Sequence, residues 1–217
     1  MTQYQLTVMN NSSEPWDIFM FQKNPAGQLT NPHLRSLAWF RKYTAPNSVA
    51  TFTWSLDYSF SWSQTGALIP GVVYSAGQTF PADPFKSGYA TAGQAGSWTN
   101  FIYHADNDYY EFVKGPGGVP AHASGTLYIN VDKSVPNQLA AVGIGMSGAP
   151  AFALPALTNI LHEFTPQPVY YVAAGTQMKQ GQVLIEEVSN AAELDYDGVA
   201  SLTATFGRDH TWSVGHN

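Results

Sequence analysis

Three short stretches hold the residues whose types and spacing could do chemistry. Gly143-Ile-Gly-Met-Ser-Gly148 has the spacing of a dinucleotide fingerprint, in which glycines let the backbone approach a pyrophosphate at a helix N-terminus. That chemistry needs a strand, a helix start and a βαβ unit. Ala149-Pro-Ala-Phe-Ala-Leu-Pro155 follows instead, so the stretch reads as a glycine-rich strand end. Within it, Gly145-Met-Ser147-Gly-Ala approximates the elbow that exposes a nucleophilic serine, with Ala149 where the second flanking glycine belongs. A serine nucleophile also needs a histidine and an acid within reach. His162 and His210 are present, but nothing in the sequence places them.

His104, Asp106, Asp108 and Glu111 form the densest set of oxygen and nitrogen ligands. A calcium loop of EF type alternates its oxygens around a turn-forming glycine, and no glycine lies inside this set. Asp and Asn also build hairpin turns by bonding local backbone, so a plain turn is the preferred reading. If a hard cation binds anywhere, His104, Asp106 and Asp108 are its candidate ligands. The carboxylates Asp57, Glu111, Glu186 and Glu187 could serve glycoside hydrolysis only at particular separations, which a sequence does not give. No coherent catalytic set emerges, so the protein is expected not to be an enzyme and to need no cofactor. The exposed-aromatic candidates for stacking on a sugar or headgroup are Trp98, Tyr103, Tyr109 and Tyr110, each equally able to serve as core.

The elements that must position these residues are strands. From Thr51 to Ser63 the chain alternates strictly: Phe52, Trp54, Leu56, Tyr58, Phe60 and Trp62 fall on one face and Thr, Ser and Asp57 on the other. No helix accommodates that period. Thirteen residues exceed an ordinary strand, which predicts a bend or bulge near Ser55 to Asp57. The alternation also has the length of a membrane-spanning β-strand. Insertion requires a matching hairpin partner, however, and Gly66-Ala-Leu-Ile-Pro-Gly71 does not alternate. A core strand is the simpler reading, and a pore-forming protein the alternative.

Trp16 to Phe21 is a continuous apolar run suited to a strand buried on both faces, and Ala105-Asp-Asn-Asp108 and Gly207-Arg-Asp-His210 are hairpin turns. Residues 155 to 162 are the one helix candidate. Leu6 to Pro15 and Leu127 to Pro136 share a strand, an Asx/Ser turn and a proline, a faint sign of internal duplication. These elements predict an all-β, antiparallel two-sheet sandwich, a single domain over residues 1–217 with at most one short helix.

The 217 residues are 11% charged and 14% aromatic, with net charge −6 and pI about 5.3. Nine scattered Lys and Arg residues cannot make the basic footprint that nucleic acid demands. Cysteine is absent, which excludes disulfides and thiolate metal sites. The N-terminal residues have neither a charged nor an apolar leader region, and no apolar run is long enough for a transmembrane helix. A cytoplasmic protein is expected, with non-classical export open.

Asn10 to Trp16, Ser36 to Phe40, Phe52 to Trp62, Gly71 to Ala76 and Val142 to Gly148 together resemble the RhiA family, rhizosphere-expressed proteins of nodulating rhizobia and their bacterial relatives. Phe164-Thr-Pro-Gln-Pro, Gly181-Gln-Val-Leu and the terminal hairpin fit the same pattern. The resemblance spans nearly the whole chain and is poorest from Phe85 to Ala123. It implies an abundant bacterial protein under population-density control, linked to life around a host. It carries no catalytic residue with it. The resemblance leaves the activity open. The low charge, the many aromatics and the lack of a coherent catalytic set make binding of a surface glycan or lipid headgroup the expected function, with homo-oligomerisation open. A hydrolase with an unrecognised site is a further alternative to the pore-forming one. The long alternating strand is expected to serve as framework, with function elsewhere.

Overall fold

A computed structural model describes residues 2–23, 32–115, 121, 123–167, 169–185 and 187–216. Glu186 lies outside these described residues. The first half of the chain forms β1 (Gln3–Asn10), β2 (Trp16–Lys23), β3 (Arg35–Ser36), β4 (Phe40–Thr44), β5 (Ser48–Ser55), β6 (Tyr58–Ser63), β7 (Gln78–Ala82), β8 (Trp98–His104) and β9 (Tyr109–Val113). The second half forms β10 (Leu127–Val131), β11 (Ala141–Met146), β12 (Ala149–Pro155), β13 (Leu161–Phe164), β14 (Val169–Gly175), β15 (Ala191–Leu194), β16 (Ser201–Phe206) and β17 (Trp212–His216). The described residues contain no helix, and so none long and apolar enough to cross a membrane.

All-β architecture is what the alternation predicted, but the strands make four sheets rather than two. Their orders are β17-β16-β1-β5, β13-β10-β8-β9, β3-β12-β11-β6-β7 and β15-β14-β2-β4. The orders repeat. β1 pairs antiparallel with β5 and parallel with β16, as β10 pairs with β13 and with β8. β2 lies between β4 and β14, as β11 lies between β12 and β6. The hairpins β6–β7 and β8–β9 correspond to β14–β15 and β16–β17. Each half thus lends its last four strands to the sheets begun by the other half. The match extends to single hydrogen bonds: Asn11 N–H donates to Phe206 O and Asp132 N–H to Phe101 O, each at 2.9 Å. That register is the one that aligns Leu6 with Leu127 and Pro15 with Pro136, so the faint sequence repeat is a repeat of topology. One hydrophobic cluster draws on all four sheets, including Leu6 and Trp54, Ile129 and Phe112, Val142 and Phe60, and Met20 and Tyr170.

The exchange explains the thirteen-residue alternation. It bends where predicted, at Leu56–Asp57, but β5 and β6 belong to different sheets. Phe52, Trp54 and Phe60 are buried, whereas Leu56 at the break is 38% exposed. The polar face is outward only in β5. Ser61 and Ser63 of β6 are buried, Ser61 beneath Tyr74, whose hydroxyl donates to Ser61 Oγ at 3.1 Å. Small hydroxyls leave room for that covering layer, so the strand is buried on both faces.

The break is pinned from β11–β12. Ser147 and Gly148 form its two-residue turn with φ of 50° and 74°, the left-handed pair that a tight hairpin requires. Ser147 Oγ accepts from Ser55 N–H at 2.9 Å and donates to Asp57 Oδ1 at 2.9 Å, while Ser147 N–H donates to Asp57 O at 3.3 Å. Ser147→Ala is expected to destabilise the fold by about 1–2 kcal/mol, because Ser55 N–H loses its acceptor and Asp57 one of its two hydroxyl donors. A denaturant midpoint equal to that of the parent would show that the pin carries no stability.

The predicted helix at residues 155–162 is absent. Pro155 ends β12, Ala156 N–H donates to Ala140 O at 2.9 Å, and Asn159 turns the chain at φ 60° into β13. The apolar run there serves strand ends rather than a helix face.

Candidate functional site

The hairpin β8–β9 carries most of the residues that sequence reasoning singled out. Cross-strand register sets Tyr103 against Tyr110 and His104 against Tyr109. Successive residues of a strand face opposite ways. Tyr109 is therefore 40% exposed, its ring stacked on His104 at 4.3 Å, while Tyr110 is buried against Phe101 at 5.4 Å. Trp98 is also buried, stacked on Tyr128 at 4.4 Å. Trp98 and Tyr110 are core, and of the four aromatics only Tyr103 and Tyr109 offer surface.

The metal candidates do not converge. His104 Nε2 faces Glu111 Oε2 at 3.2 Å, and Asp108, at φ 51° in the turn, accepts from the Tyr103 hydroxyl at 2.8 Å. Among the described residues no group of three or more His, Asp or Glu side chains is placed to hold a metal ion. Asp108 takes the left-handed conformation at the end of the turn, with its carboxylate turned to Tyr103.

Ser147 lies in a β-hairpin turn rather than a strand-to-helix elbow, and its hydroxyl partners are Ser55 and Asp57, with no histidine among them. Burial disfavours the charge on Asp57, but the hydrogen bonds from Ser55 and Ser147 outweigh it and hold the carboxyl below its usual range. Gly143 and Gly145 are glycines because the neighbouring strand passes close by: a Cβ there would meet Phe152 O at 2.1 Å and Ala149 O at 2.2 Å. That is strand packing, not phosphate binding. His162 is buried on β13, remote in sequence from any of these groups.

A cleft lies where no sequence motif pointed. It has a volume of about 350 Å³ and is lined by Tyr4 of β1, Leu56 at the strand break, Tyr170 of β14, and Tyr196, Asp195 and Asp197 beyond β15. Glu193 shares the rim. The rings hold one another: Tyr196 meets Tyr4, Trp54 and Tyr170 edge-on at 5.4, 5.2 and 5.8 Å, and Tyr4 stacks on Trp54 at 5.9 Å. Tyr196 Oη donates to Gln5 O at 2.9 Å, which fixes its ring over β1. Burial pushes the phenols of Tyr170 and Tyr196 well above the usual tyrosine range, so they remain neutral donors and acceptors. Glu193, Asp195 and Asp197 are exposed, whereas Leu194 is buried and Tyr196 half-buried; β15 ends at Leu194, and Asp195 Oδ1 accepts from Asp197 N–H at 2.9 Å in the turn that follows.

Two comparisons with known proteins bear on this chain. A family model described as RhiA matches residues 1–217. The chain belongs to the RhiA family. It is 36% identical over 221 residues to Protein RhiA of Rhizobium leguminosarum bv. viciae, an alignment covering 98% of this chain and 86% of that protein. No solved structure matches. The RhiA-family resemblance read from Phe52 to Trp62 and the other shared stretches therefore holds along the whole chain. Those stretches contribute Trp54, Leu56 and Tyr58 to the surroundings of the tyrosine cleft.

Proposed function

We propose that this RhiA-family chain is a non-enzymatic binding protein that recognises a surface component, a glycan or a lipid headgroup, in the tyrosine cleft. The observation that carries the reading is the cleft itself. Its rings are locked by mutual contact before any ligand arrives, so little ordering opposes binding. Aromatic walls with a few polar groups suit a sugar face or a headgroup equally. The exposed Tyr109, stacked on His104, would supply a second contact on the β8–β9 hairpin.

A membrane-active role is the alternative. It has less support, because the alternating stretch is shared between two sheets and pinned at its break by Ser147. Glycan-array binding and vesicle co-sedimentation of the purified protein test the proposal. Binding to at least one surface is expected, reduced about tenfold or more by Tyr196→Leu, since truncating an aromatic anchor commonly costs over 1 kcal/mol. Dye release from vesicles is not expected, and leakage together with unaltered binding in the Tyr196 variant would favour the pore reading instead.

A further inference from the structure

The cleft has one sign of charge. Asp195 and Asp197 stand on its rim, and no Lys or Arg is among its described lining residues. Glu193 also borders it, but its carboxylate accepts from the Tyr171 hydroxyl at 2.7 Å, on the face of β14 opposite Tyr170, where Lys23 Nζ lies over the Tyr171 ring at 4.6 Å. Another depression, about 800 Å³, is lined instead by Arg41 and Lys179 among glutamines.

Behind the rim the floor is aromatic. Tyr4, Tyr170 and Tyr196 line it, with Trp54 packed against all three. Tyr170 is only 5% exposed, and its hydroxyl has no hydrogen-bond partner. The Trp54 indole N–H lies beside that hydroxyl, and both atoms are closed off from solvent, so they belong to the packed backing of the cleft rather than to its open face. Electron-rich ring faces with acids around them attract a diffuse positive charge, and a quaternary ammonium is the ion that aromatic walls can hold without stripping a tight hydration shell.

We infer that the cleft formed by Tyr4, Tyr170 and Tyr196, rimmed by Asp195 and Asp197, binds a quaternary-ammonium group of the choline type. The inference rests on the proposed binding role and specifies its ligand. A carbohydrate would use the same rings but would have no need of the acids. An anionic headgroup would be repelled by them. Choline-type groups occur both as free solutes and on lipid headgroups, and the chemistry recognised is the same in both.

The test titrates the full chain with choline chloride, tetramethylammonium chloride and 3,3-dimethylbutan-1-ol, the uncharged carbon analogue of choline, following tryptophan fluorescence against a sodium chloride control. Both cations are expected to bind saturably, and the neutral alcohol about tenfold or more weaker, the size of a desolvated cation–π contribution. Asp195→Asn with Asp197→Asn, exposed positions whose replacement should leave the melting temperature near that of the parent, is expected to weaken choline about fivefold. Tyr196→Phe is expected to keep binding and Tyr196→Leu to lose it.

Equal affinity for the alcohol, or no effect of the paired Asn substitutions, overturns the inference. Co-sedimentation with phosphatidylcholine vesicles that free choline competes away would place the group on a lipid. Binding of free choline without vesicle binding would place it on a solute, and both results support the ammonium assignment. Glycan or vesicle binding that choline does not compete would overturn the ammonium assignment while leaving the broader binding role standing. Absence of any glycan, vesicle or choline binding removes both.

Discussion

Replacing Trp39 with alanine is expected to destabilise the protein by about 4 kcal/mol, near the upper end for truncating a buried aromatic. Trp39 is fully buried. Its indole is packed by Phe40 at 4.1 Å, Trp54 at 5.7 Å and Tyr170 at 5.9 Å, rings from three separate strands. Its N–H donates to Met146 O at 3.0 Å, so it ties the start of β4 to the end of β11, a strand begun by the other half of the chain. Removal leaves a cavity that these rigid rings cannot collapse into, and it leaves Met146 O buried without its donor. Trp39→Phe separates the two terms: the ring is largely kept, the hydrogen bond is lost, and about 1–3 kcal/mol is expected. Denaturant unfolding of both variants measures the difference. A loss below about 1 kcal/mol for alanine would mean that the inter-half packing is soft at this point, against the close-packed interior expected of a fold. The same substitution loosens Trp54 and Tyr170, so it should also weaken whatever the tyrosine cleft binds.

How far this arrangement could be read from sequence depends on whether each feature is local. The period-two run from Thr51 to Ser63 is local and showed both the strand character and, through its length, the bend near Asp57. The two hairpins at Ala105–Asp108 and Gly207–His210 were legible for the same reason, since their turn residues adjoin their strands. The helix at residues 155–162 was misread because a short apolar run between prolines has no periodicity to separate helix from strand ends. That Ser61 and Ser63 would be buried depended on Tyr74, which lies in a loop that covers them. Tyr109 and Tyr110 had to face opposite ways on one strand, which pairing logic could have shown, but which of them was exposed needed the sheet.

The cleft is the least local feature of all. Tyr4, Trp54, Tyr170 and Tyr196 meet because β1 pairs parallel with β16 and antiparallel with β5, and because β14 crosses into the sheet of β2. No spacing in the sequence encodes that. The run Glu193-Leu-Asp-Tyr-Asp197 is the one visible sign, acids set around a tyrosine beside a strand end. The exchange of strands between halves makes such convergence possible, since it brings the two ends of the chain against its middle.

Acid should weaken the fold well above the carboxylate range, through His162. This residue is 2% exposed on β13, opposite Ile129 and flanked by exposed Leu161 and Glu163. Burial pushes its imidazole down to about 4, while an unfolded histidine titrates near 6.5. Between those values the unfolded chain binds the proton that the folded chain refuses. Stability is therefore complete above about pH 6.5, falls as the pH is lowered, and stops falling from this source below about pH 4. Two to three pH units of separation correspond to about 3 kcal/mol. Nε2 also accepts from Leu157 N–H at 3.5 Å, a contact that protonation abolishes. Asp132 and Asp209, held low by hydrogen bonds from Ser134 and Thr211, act in the same direction but only as the pH falls through their own lowered range. Denaturant midpoints measured from pH 7.5 to 5 thus report the histidine. His162→Gln, which keeps a polar group but cannot titrate, is expected to be less stable at pH 7.5 and nearly flat across that interval. If the parent's midpoint is the same at pH 7 and pH 5, the buried imidazole is not the acid-sensitive element of this fold.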